Sequence, residues 1–132
     1  MDRHSPAEGD PGVTSVSALI PIKIVSEATV RECWQAKYSR AKEQKTAVAA
    51  CLYPYGQYFR KPKGTFTITL TRIGVRKLDG DNLQRGFKSC RDSVATILGI
   101  DDGSERIEWR YEQEKGKPKE YAARIEIRAE EG

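Results

Sequence analysis

The chain has 132 residues, 38% of them hydrophobic, a mean hydropathy of -0.66 and a formal net charge of +4, which is room for one domain with a modest core. No run approaches the ~20 apolar residues that cross a bilayer, and the N-terminus lacks the apolar heart of a secretory leader, so a cytoplasmic protein without membrane attachment is expected. The charge is uneven: residues 60–91 carry nine basic and two acidic side chains, whereas residues 92–132 carry seven and eleven, and so basic a block points to a polyanionic partner.

Residues 1–14, rich in Gly, Pro and acid and without periodicity, read as a flexible tail, leaving 15–132 as the single folded domain. Ser15 to Val25 alternates, with Ala18, Ile20, Ile22 and Ile24 on one side. Pro21 lacks a ladder donor, so this is an edge strand. A helix opens near Ser26 to Thr29. Its face collects Val30, Trp34, Tyr38, Ala41, Val48 and Leu52 at three- and four-residue spacing, with Arg31, Lys37, Arg40 and Lys42 on other sides. Trp34 and Tyr38 are read as core on that stripe.

Tyr53 to Tyr58 is a loop followed by Arg60, Lys61 and Lys63. Aromatics interleaved with cations either stack on nucleic acid or pack on the domain. Gly64 to Ile73 alternates again, Phe66, Ile68 and Leu70 against a row of threonines, as a half-buried strand. Asp81 to Leu98 is a second helix. Glu105–Gln113 and Tyr121–Arg128 alternate around Gly116 and Pro118, the pattern of a hairpin. The order β-α-β-α-β-β predicts an α+β domain, two main helices on a small mixed or antiparallel sheet.

The candidate site lies where the third element meets the fourth. Arg76-Lys77-Leu78-Asp79-Gly80-Asp81-Asn82 ends a strand and starts a helix, and Asp101-Asp102 follows that helix. One aspartate there would be a helix cap. Two at i and i+2, with a second pair beyond, point further, because carboxylates held together repel unless a cation lies between them. Cys33, Cys51 and Cys90 form no CxxC pair, and the single histidine, His4, falls in the tail. A metal site would therefore be built from oxygen donors and suit magnesium or manganese. On a helical wheel Leu83, Phe87, Cys90, Val94, Ile97 and Leu98 form the apolar stripe. Asp81, Arg85, Lys88 and Asp92 line the opposite side, as a solvated face or as one offered to phosphates.

The series L-D-G-D-N-L-Q-R, helix, G-I-D-D, strand resembles the signature of the RusA-type Holliday junction resolvases. Residues 26–44 are similar to the N-terminal helix of phage-encoded members. The resemblance covers most of residues 15–128. It implies a RusA-like homodimeric fold that cuts four-way DNA junctions by magnesium-dependent hydrolysis and needs no small-molecule cofactor. By motif, Asp79, Asp81 and Asp102 match the essential aspartates, with Asp101 beside them as a further metal ligand. Arg85 stands where the family has a lysine and Lys88 lies one turn on, both in catalytic positions. Arg72, Arg76 and Lys77, with Arg60, Lys61 and Lys63, are the expected DNA contacts. An inactive structure-selective DNA-binding protein of the same fold is the alternative, since Arg85 keeps the charge but does not readily give up a proton.

The motif poses a geometric problem. A straight helix over residues 81–98 would separate its ends by roughly 25 Å. Either that helix breaks, or two subunits pair antiparallel so that Asp102 of one meets Asp79 and Asp81 of the other.

Overall fold

A computed structural model of the chain describes residues 13–24, 34–55 and 64–130. The order is β1 (Val13–Ile20), α1 (Trp34–Leu52) closed by a 3-10 turn at Tyr53–Tyr55, β2 (Thr65–Gly74), α2 (Gly80–Gly86), α3 (Lys88–Leu98), β3 (Ile107–Lys115) and β4 (Ala122–Glu130). The strands form one mixed sheet in the order β1-β4-β2-β3. β4 runs antiparallel to both its neighbours, and β2 and β3 run parallel. The domain is thus α+β. The expected tail, apart from Val13 and Thr14 in β1, and the predicted start of the first helix lie outside the described residues, as do Tyr58, Arg60, Lys61 and Lys63.

Register explains the layering. Val16, Ile127, Ile68 and Trp109 form one cross-strand row, and Ala18, Ile125, Leu70 and Tyr111 the next. Successive residues on a strand point to opposite faces, so these rows build one apolar face. They join Val48 and Leu52 of α1 and Cys90, Val94, Ile97 and Leu98 of α3 in the core. The other face carries Thr67, Thr69, Glu108, Arg110, Arg124 and Glu126 in alternating register. α1 and α3 pack on each other, tied by the Ser93 hydroxyl donating to the Lys45 carbonyl at 3.1 Å. Cys90 is fully buried there, which pushes its thiol up to about 12.

The predicted apolar stripe of the second helix is buried throughout, from Leu83 to Leu98. The first helix departs from its reading. Tyr38 is 65% exposed and Gln44 is buried instead, its amide donating to the Lys23 carbonyl at 3.2 Å. A side chain that reaches a backbone acceptor from another segment can enter a core that an unpartnered polar group cannot. β1 remains an edge strand and stops at Ile20. Pro21 follows, and the Ile22 amide bonds the Ile20 carbonyl across it at 2.8 Å, a tight turn that suits the fixed φ of proline.

The expected hairpin is corrected. β3 and β4 do not pair; β2 lies between them. Crossing one strand means spanning two inter-strand gaps, about 10 Å, well within reach of the 116–121 connection. The connection passes over the end of β2, where the Gly116 amide donates to the Gly74 carbonyl at 2.9 Å. A Cβ on residue 116 would lie 2.9 Å from the Glu120 carbonyl oxygen and 3.2 Å from Ile73, so only glycine permits so close a passage. β2, uncharged until Arg72, is the strand best suited to the middle position. The α2–α3 segment then becomes the crossover that a parallel β2–β3 pair requires.

Candidate functional site

The helix facing the candidate site is not continuous. Phe87 interrupts it at φ -91, ψ 1, with its amide between the Leu83 and Gln84 carbonyls at 3.3 and 3.2 Å. Its ring is fully buried and meets Tyr111 of β3 at 6.2 Å. The helix does break, but the break does not bring Asp79, Asp81 and Asp102 together in one chain.

β3 holds the crossover by three side chains on one face. Gln113 grips the backbone of Leu78: its carbonyl oxygen accepts from the Leu78 amide at 2.8 Å, and its amide donates to the Leu78 carbonyl at 2.7 Å. Tyr111 backs the helix break. Burial is the main cause raising its hydroxyl above the ordinary tyrosine value, with nearby Arg91 opposing. The Trp109 indole donates to the Asp102 carbonyl at 2.8 Å. These bonds fix the loops bearing the two aspartate pairs.

Within the first pair the roles divide. Asp79 is the N-cap of α2: one carboxylate oxygen accepts from the Asn82 amide at 3.0 Å and the other from the Asn82 side chain at 3.1 Å. Asn82 thus stabilises both the turn and the orientation of its carboxylate. Asp81 is exposed in the first helical turn, and no bond to another described residue engages its carboxylate. Arg85 and Lys88 are exposed on the outer side.

In the second pair, Asp101 accepts from the Gly103 amide at 3.0 Å. That bond, and then the Asp102 side chain, hold Asp101 below the usual aspartate range. Asp102 lies 3.8 Å from the Arg91 guanidinium, which stacks over the Trp109 ring at 4.9 Å. Both aspartates border a shallow depression of about 310 Å³ together with Asp92.

The pairs do not meet within one chain. Their anchors, Gln113 and Trp109, are four residues apart on β3, about 13 Å at ~3.3 Å per residue. Among the described residues, no three acidic, cysteine or histidine side chains converge as metal ligands. Carboxylate oxygens suit a hard cation, but one chain does not present Asp79, Asp81 and Asp102 to a single ion.

Beside the Asp79 turn, the carboxyl ends of β2 and β3 open into a cleft of about 310 Å³ lined by Arg72, Arg76, Lys77, Gln113 and Lys115 among others. Arg72 is buried, and burial lowers its pKa from the ordinary value. It donates to the Ile24 carbonyl at 2.9 Å and to the Arg76 carbonyl, so its guanidinium supports the cleft wall. Arg76 and Lys77 are exposed at the rim.

Sequence reading passed over Arg91, Trp109, Gln113 and Lys115. Trp109 and Tyr111 registered only as strand alternation. Gln113 finds its partner 35 residues away, and no local pattern signals that.

No family model matches the chain, and no curated protein does. Among solved structures, the bifunctional IspDF from Campylobacter jejuni is similar over 96% of this chain and 44% of its own, at 10% identity and a TM-score of 0.39. No helix among the described residues is long and apolar enough to cross a membrane.

Proposed function

We propose that this chain is a metal-dependent endonuclease of branched DNA, four-way junctions above all, working as a homodimer in the cytoplasm. The observation that carries the reading is the mounting of Asp79-Gly80-Asp81. The turn is clamped to β3 through Gln113 at the rim of a basic cleft, which offers carboxylates beside a surface that attracts phosphates. Asp79 and Asp81 of one subunit, with Asp102 and Asp101 of the other, would hold magnesium or manganese. That arrangement answers the separation of the pairs within one chain and suits a substrate with two strands to cut. Such an ion would supply orientation and a lowered pKa to a water. Arg76, Lys77, Arg85 and Lys88 draw the backbone in and offset its charge. Binding weakens steeply with salt, because counterion release drives much of it.

The test is incubation of the protein with labelled four-way junction and matched linear duplex in magnesium, in manganese and in EDTA, beside Asp81→Asn. Paired symmetric nicks in the junction alone, lost in EDTA and in the variant, are the expected result. A second reading, a structure-selective DNA-binding protein without turnover, draws on the commitments already seen in the chain: Asp79 caps a helix and Asp102 faces Arg91. It predicts junction binding without cutting in either metal.

A further inference from the structure

We propose that the cleft at the carboxyl ends of β2 and β3 is a phosphate-binding subsite for the DNA backbone, with Lys115 as its determining side chain. The inference rests on the nucleic-acid reading above and adds a contact that the charge pattern does not reveal, because Lys115 belongs to the acidic final third of the sequence.

Register creates the site. The parallel pairing of β2 and β3 sets Lys115 opposite Gly74, next to the turn bearing Arg76 and Lys77. Three exposed cations from two distant parts of the chain, Arg76 and Lys77 on one turn and Lys115 on β3, thus border one cleft, and no ion pair among the described residues engages any of them. Among the described residues lining the cleft, the one carboxylate, Glu114, is paired with Arg124 on the outer face. Arg72 adds a buried positive charge beneath. Like charges gathered without a counter-ion repel, and an anion in the cleft relieves that. Crevices outside the carboxyl ends of parallel strands are where open sheets bind ligands. The Gln113 clamp holds the Asp79 turn beside this one, so a phosphate bound here sits next to the proposed cutting centre.

The test is fluorescence anisotropy of a labelled four-way junction in EDTA across a salt series. It compares the wild type with Lys115→Ala, Lys115→Arg, Arg76→Ala and Lys117→Ala. Loss of one counterion-releasing contact weakens binding about eightfold at 0.1 M salt and flattens the log–log salt slope by about 0.9. Lys115→Ala is expected to show both effects, with Lys115→Arg and Lys117→Ala close to wild type. Wild-type affinity and slope in Lys115→Ala, with affinity lost in Arg76→Ala, would overturn the subsite and leave the DNA reading standing. Equal weakening by Lys117→Ala would also overturn it, as diffuse surface charge. A wild type that binds no DNA at low salt removes both.

Discussion

The Gln113 clamp makes the sharpest prediction about how the fold serves the site. Gln113→Met keeps the length and bulk of the side chain but removes both bonds to Leu78, at 2.8 and 2.7 Å. A hydrogen bond contributes about 0.5–1.5 kcal/mol net, and Leu78 is partly buried. Water can reach the released groups in part, which sets the expected loss at about 1–2 kcal/mol. With an unfolding entropy of about 2.1 cal/mol/K per residue, a chain this long would melt about 4–7 °C lower. Thermal unfolding by circular dichroism reads that shift. Junction affinity should fall less than the cleavage rate, because Gln113 is uncharged although it lines the cleft bordered by Arg76, Lys77 and Lys115, while the single-turnover cleavage rate falls at least tenfold as the Asp79 turn loosens. An unchanged melting temperature with an unchanged cleavage rate would refute the clamp. An equal loss of affinity and rate would show a general defect.

Arg72→Met strips the Ile24 and Arg76 carbonyls of a buried charged donor and is expected to cost about 2–4 kcal/mol, a fall in denaturation midpoint that urea titration measures. The Asp101 carboxyl is depressed in the folded chain, chiefly by the Gly103 amide. Its contribution is therefore present above the unfolded aspartate value of about 3.9 and lost as pH falls through the lower folded value. Asp101→Asn should be less stable than wild type at neutral pH and match it at the acid end; a gap that widens on acidification would contradict the assignment. Mixing Asp81→Asn with Asp102→Asn subunits should restore nicking of one junction strand, since a heterodimer keeps one intact site if sites are shared between subunits. A mixture as dead as either parent would count against shared sites.

Local patterns carried much of the fold. The stripe from Leu83 to Leu98 and the alternation of Phe66, Ile68 and Leu70 read as buried and are buried, because burial at helical or strand period is written into successive residues. The turn at Asp79 was legible for the same reason: a cap is a contact between residues three apart. The breakdowns were all long-range. Nothing near Tyr38 tells that Gln44 would take the core position by reaching Lys23. Nothing in the 105–128 pattern tells that β2 would part its two strands. Apolar pattern does not foretell the break at Phe87 either, where the ring packs 6.2 Å from Tyr111.

The sequence by itself determined the order of strands and helices, the apolar faces of the second helix and of the strands, that the acidic residues come in two pairs, and that the cations concentrate in the middle third. Those properties depend on neighbours within a few positions. The tertiary structure alone decided that β2 and β3 run parallel, that Lys115 joins Arg76 and Lys77 at one cleft, that Gln113 and Trp109, about 13 Å apart on one strand, anchor the two aspartate loops, and that Asp102 faces Arg91. Each is a contact between segments distant in the chain, fixed by strand register and by polar groups seeking partners once water is excluded.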